Sequence, residues 1–203
     1  MSPEDETRER IIQGAAQVFA QKGYDGATTR EIAEVAGVNE VTLFRHFGTK
    51  KNLFLAMIDQ RSPLRSVKEA LETQLTGDYR QDLLAIGNQY MATMLERRKE
   101  ILMSLCAAEQ LPEMREVTAQ MPAQLRQVLG EYLQRHIASG SVRQMNPQMA
   151  AQAFFGMLFA FAISQGLLQD APAAQIPPQT AVEQFVDIFV QGTVKSQEVS
   201  NAD

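Results

Sequence analysis

Arg45, His46, Lys50 and Lys51 crowd into the stretch NEVTLFRHFGTKK, residues 39–51. Side chains of these types at this spacing suit either the gripping of an anion such as phosphate or a plain solvated charged surface. An arginine there can hold a phosphate or make a bidentate contact to guanine O6 and N7, and a lysine acts as a mobile point charge. Lys50 and Lys51 follow Thr49, a residue suited to capping a helix, so they stand where a helix begins. That terminus already carries roughly half a positive charge, so each lysine costs roughly a few tenths of a kcal/mol unless a partner arrives. A phosphate would be such a partner, since the N–H groups of the terminus point the same way.

Other chemistries have less to work with. His46 and His136 are far apart in sequence, and Cys106 is the only cysteine, which excludes an internal disulfide. No glycine-rich phosphate loop and no metal-spaced carboxylates accompany them, so neither an enzyme, a cofactor nor a metal is expected. His46 has no catalytic or pH-switch support in its own segment, and phosphate contact or surface exposure is its expected role. His136 is isolated, and Cys106, within ILMSLCAA, reads as a small core hydrophobe.

These residues need elements to position them. The 203-residue chain, 45% hydrophobic and 21% charged, has the composition of a globular protein. Its net charge is −5, and neither residues 1–62 nor the remainder is net basic, so a nucleic-acid footprint has to be a local patch. MSPEDETRER at the N-terminus is acidic where an export leader is basic and then apolar, and the lone cysteine suits a reducing compartment. A cytoplasmic address is expected.

The periodicity is helical throughout and predicts an all-α fold of about nine helices. Ile11, Ile12, Ala15, Ala16, Val18 and Phe19 recur at helical spacing before Gly23. Thr28 with Glu31 forms a capping box for a short second helix ending at Gly37, and Asn39 caps a third from Glu40 to Phe47, closed by Gly48. The third helix must bury either Val41, Phe44 and Phe47 or Leu43 and Phe47, leaving Glu40, Thr42, Arg45 and His46 outward. Two short helices joined by a glycine-containing turn beneath a longer one make a helix-turn-helix. A fourth helix runs from Lys50 toward Leu75, kinked or broken at Pro63. Further helices follow over about 79–96, 98–110, 113–138, 147–169 and 180–195, and DAPAAQIPPQ is a loop. The domains are expected at 1–49 and 50–203.

TTREIAEVAGVNEVTLFRHFGTKKNLF, preceded by RIIQGAAQVFAQKGYDGAT, resembles the DNA-binding domain of the TetR family of bacterial transcriptional repressors over about residues 7–58. The resemblance implies that the third helix enters the major groove, the second crosses the backbone and the start of the fourth touches phosphate. Family contact positions correspond to Thr28, Thr29 and Arg30, to Glu40, Val41, Thr42, Phe44, Arg45 and His46, and to Lys50. Many members have tyrosine where Phe44 stands, so its phosphate-donating hydroxyl is missing here.

The resemblance also implies a small-molecule effector, of unknown identity, bound in the second domain. Met91, Met94, Met103, Met114, Met121 and Met157 with Phe154, Phe155 and Phe159 suit an adaptable apolar pocket and a plain bundle core equally well. Ligand-site candidates are Asn88, Gln89, Tyr90, Met94, Met103, Cys106, Phe155 and Gln165. The uncharged helix over 147–169 approaches membrane-spanning length, but Gln152, Ser164 and Gln165 interrupt it and no basic cluster flanks both ends. A homodimer through the eighth and ninth helices accounts for it better, with Phe154, Leu158, Phe161, Phe185 and Phe189 at the interface. The expected function is that of a repressor binding a palindromic operator as a dimer and released by its effector. The alternative is a helical interaction protein that keeps the fold without specific DNA recognition.

Overall fold

A computed structural model describes residues 2–60, 63–110, 112–167 and 176–195, without the side chains of 110, 112–114, 117, 166 and 167. Among the described residues there are ten helices. These are α1 (Pro3–Gly26), α2 (Thr29–Ala36), α3 (Glu40–Phe47), α4 (Lys50–Gln60), α5 (Pro63–Thr73), α6 (Tyr79–Glu96), α7 (Arg98–Gln110), α8 (Pro112–Ala138), α9 (Pro147–Leu167) and α10 (Pro178–Thr193). The expected fourth helix is described in two parts, α4 to Gln60 and α5 from Pro63, and residues 61 and 62 between them lie outside the described residues. The expected end of the eighth helix, residues 168 and 169, lies outside the described residues, as do residues 170–175 of the loop.

The chain forms two compact units, Met1–Arg65 with Arg97–Gln120, and Ser66–Glu96 with Met121–Asp203. In the first, α1 starts earlier than its apolar periodicity suggests, because Ser2 and Asp5 form a capping box and Pro3 occupies the first turn. Gly23 interrupts α1 at φ 72°, ψ 177°, a conformation that would strain any side chain with a Cβ. The buried stripe Ile11, Ile12, Ala15, Ala16, Val18 and Phe19 matches the sequence pattern and joins α2, α3, α4 and Ala107 of α7 in one core. Phe19, Tyr24 and Phe54 close one end as an aromatic trio with centroids 5.0–5.8 Å apart. Gly14 lets α1 and α2 touch backbone to backbone: a Cβ there would lie 3.1 Å from the Ala36 nitrogen and 3.2 Å from the Ile32 oxygen.

In the second unit α6, α9 and α10 pack together. α9 buries Ala151, Phe154, Phe155, Leu158 and Ala162 on one helical face. The start of α6 is tied down by a buried carboxylate: Asp82 accepts from the Thr76 amide at 2.7 Å, the Thr76 hydroxyl at 2.9 Å and the Tyr132 hydroxyl at 3.0 Å. Those bonds supply the polar partners that burial otherwise removes.

Gly14→Val should lower stability by ~1–3 kcal/mol, because the backbone it meets cannot move aside as a side chain can. Gly192→Ala, with nothing within 4 Å of the added carbon, should be neutral or mildly stabilising. Denaturant melts of the two variants compare them directly; equal losses would mean that the α1–α2 contact is not the tight one.

Candidate nucleic-acid interface

The DNA-reading candidate is assembled from local signals that the backbone obeys. Thr28 caps α2, its hydroxyl accepting from the Glu31 amide at 3.2 Å while the Glu31 carboxylate accepts from the Thr28 amide at 3.3 Å. Gly37, in the left-handed region at φ 65°, ends α2, and the Gly37 and Val38 amides donate back to the Glu34 and Ala33 carbonyls. Asn39 Oδ1 then caps α3, accepting from the Thr42 amide at 2.7 Å and its hydroxyl at 2.8 Å. The turn between the helices is therefore Gly37-Val38-Asn39.

Of the two burial patterns left open for α3, the one with Leu43 and Phe47 is adopted. Val41 and Phe44 stand outward, 77% and 42% exposed. Arg45 is exposed and Thr42 half-buried. His46, expected outward, is half-buried beside the Phe47 ring, with Nε2 enclosed and without a hydrogen-bond partner. The Thr29 hydroxyl donates to the Glu40 carboxylate, which joins the start of α2 to the start of α3. Arg30 is exposed and pairs with Glu34 along α2 at 3.3 Å.

Lys50 has partners of its own. Its ammonium donates to the Ala27 carbonyl at 2.7 Å and sits 4.6 Å from the centre of the Tyr24 ring. These contacts offset the cost of a cation at the start of α4, and partial burial lowers the ammonium's pKa while Asp25 opposes the shift. An ammonium has three N–H donors, so a further direction is left for an anion.

Sequence reasoning missed two arginines of α1. Arg10 donates to the Gly37 carbonyl at 3.3 Å, at the turn itself, and the Arg8 guanidinium lies 5.3 Å from the centre of the Phe47 ring. Both contacts link residues 27 or more positions apart, for which a linear pattern carries no signal.

The residues expected around a ligand divide between the units. Met103 and Cys106 belong to the first unit, where Met103 packs on the core; Cys106 is exposed, which corrects its reading as a core residue. The other six lie in the second. Tyr90 and Phe155 are buried with rings 4.9 Å apart, and burial raises the Tyr90 pKa. Met94 is fully buried and Asn88 exposed. The Gln89 carbonyl accepts from Thr93, and Gln165 donates to the Ile176 carbonyl at 3.4 Å.

The residues expected at a dimer interface also divide. Phe154, Leu158 and Phe189 are buried inside their own unit, Phe154 packing edge-on against Phe155 and Phe189, so they are core and not docking surface. Phe161 and Phe185 are half-buried and in contact, 5.9 Å apart. Met149 and Ile188, 65% and 58% exposed, are apolar positions on the same two helices that were not foreseen.

A tri-helical head with an outward-reading α3, followed by a helical second unit, defines a helix-turn-helix DNA-binding regulator. Comparison with known proteins narrows the class. Residues 11–57 match the model of bacterial regulatory proteins of the tetR family, and residues 81–192 match the C-terminal domain of AefR-like transcriptional repressors. The HTH-type transcriptional regulator YvkB of Bacillus subtilis (strain 168) is 30% identical over 92% of this chain and 96% of its own length. Among solved structures, a transcriptional regulator from Pseudomonas aeruginosa PAO1 matches with TM-score 0.77 at 22% identity, covering 95% of this chain and 91% of that one. The FadR regulator of Bacillus subtilis, solved with stearoyl-CoA, matches with TM-score 0.76 at 17% identity, covering 91% and 98%. The chain belongs to the TetR family of bacterial transcriptional regulators, and its second domain is that of the AefR-like transcriptional repressors.

The capping box of α2 makes a pH prediction. Glu31 is held below its ordinary value of 4.5, first by the Lys22 ammonium and then by the Thr28 amide and hydroxyl. A depressed carboxyl pKa stabilises the fold above the unfolded value and loses that contribution as pH falls through the folded one. Wild type should therefore melt higher than Glu31→Gln at pH 7, and the gap should close below pH ~4. A gap that stays constant across the acid limb would remove the ionised-carboxylate explanation.

Proposed function

We propose that the protein binds an inverted-repeat operator as a homodimer and leaves it when a small molecule occupies the second domain. The division of labour is residues 1–49 for DNA and 50–203 for response and dimerisation. The observation that carries the reading is α3 itself: Leu43 and Phe47 are spent on the core, while Val41, Phe44 and Arg45 are left outward on a helix fixed by a capped turn. Thr28, Thr29, Arg30 and Lys50 flank it, Lys50 and the α4 terminus gripping one phosphate and Arg45 reading a base or holding a second phosphate.

Dimerisation is assigned to the outer faces of α9 and α10. α9 has no charged residue, and Met149, Ile188, Phe161 and Phe185 leave apolar surface uncovered on the two helices. A second copy of the chain covers such a face symmetrically. Release then follows from differential affinity: the effector prefers a conformation in which α4 tilts and the two recognition helices no longer fit successive major grooves. The work is done in the cytoplasm.

Selection from a random DNA pool should return an inverted repeat, and light scattering should give twice the 22.6 kDa of one chain. Lys50→Ala should weaken binding to every sequence and, by removing one phosphate contact from each half of the dimer, make the slope of log affinity against log salt shallower by about 2. An unchanged slope would remove the phosphate role of Lys50, and a mass of one chain at working concentration would remove the dimer.

A further inference from the structure

The reading face of α3 carries hydrocarbon that the fold does not use. Val41, at the second position of the helix, is 77% exposed, and Phe44, three residues on and on the same face, is 42% exposed. The polar groups on either side of Val41 each have a hydrogen-bond partner within the chain. Glu40 accepts from the Thr29 hydroxyl, and the Thr42 hydroxyl donates to Asn39 Oδ1. What the leading turn of the recognition helix offers outward at this position is therefore a branched aliphatic surface. In a helix-turn-helix that turn meets the base edges.

Among the base edges in the major groove, one group is hydrocarbon: the C5-methyl of thymine. Resting on the DNA-reading function above, the geometry points to Val41 as a thymine-reading residue, its side chain receiving a C5-methyl in each half-site with Phe44 as the second wall. Burying one methyl against this surface is worth about three- to tenfold in affinity. Val41 thereby specifies a base without a hydrogen bond, while the charged groups around α3 and α4 hold the backbone.

The test begins with an operator selected from a random pool by the wild-type protein. Each thymine is then replaced singly by deoxyuridine, which lacks only the C5-methyl, and affinity is measured at fixed salt for wild type and Val41→Ala. Melting of Val41→Ala verifies its fold, which an exposed position should preserve. The expected result is a loss of about three- to tenfold for wild type at one or two thymines per half-site, with Val41→Ala, which removes the contact from both half-sites, losing about the square of that on the thymine operator and showing no further loss on deoxyuridine. Deoxyuridine tolerated everywhere, an undiminished penalty in Val41→Ala, or half-sites without thymine would overturn the assignment and leave DNA reading standing. A pool that yields no common inverted repeat would overturn both.

Discussion

An isolated helix of eight residues is not stable in water, and α3 is such a helix. Its existence depends on Leu43 and Phe47 entering the core built by α1, α2 and α4. Burial of side chains like these is worth about 1.5–3 kcal/mol each, enough to fix a helix that propensity alone would leave frayed. Because they occupy one face, the opposite face is set by geometry and not by chance. That is why Val41, Phe44 and Arg45 point outward together, and why the head can present a reading surface on so short an element.

The supports of that surface act at its two ends. The Asn39 cap and the Thr29–Glu40 bond hold the start of α3, while the Arg8 guanidinium over Phe47 covers its end and Arg10 holds the Gly37 carbonyl in the turn. Lys50 fastens the start of α4 to the segment before α2 through the Ala27 carbonyl and the Tyr24 ring. A cation at a helix N-terminus is thus locally unfavourable and tertiarily satisfied. Groups held in place before DNA arrives lose less freedom on binding, which favours affinity without any extra contact.

The second unit follows a different logic. Its helices are apolar on more than one side, so burial inside the unit does not exhaust them. Phe154, Leu158 and Phe189 serve the internal core, while Met149 and Ile188 are left over on the same elements. A buried carboxylate, Asp82, is kept by three hydrogen bonds in place of a cation, anchoring the entry to α6.

Local chemistry was legible in the sequence by itself: the helical periodicity, the caps at Thr28 and Asn39, the glycine at position 37, and the membership of the head in its family. Those features are written in residues within a turn of each other, where spacing carries the information. Tertiary structure alone decided which of two apolar faces α3 buries, because Leu43 and Phe44 are equally hydrophobic and only the core they meet chooses between them. It also decided that Cys106 is exposed, that Arg8 and Arg10 serve the turn, and that Phe154 and Leu158 are core. Each of these is a contact between residues distant in the chain, and a linear pattern holds no record of which partner fills which side.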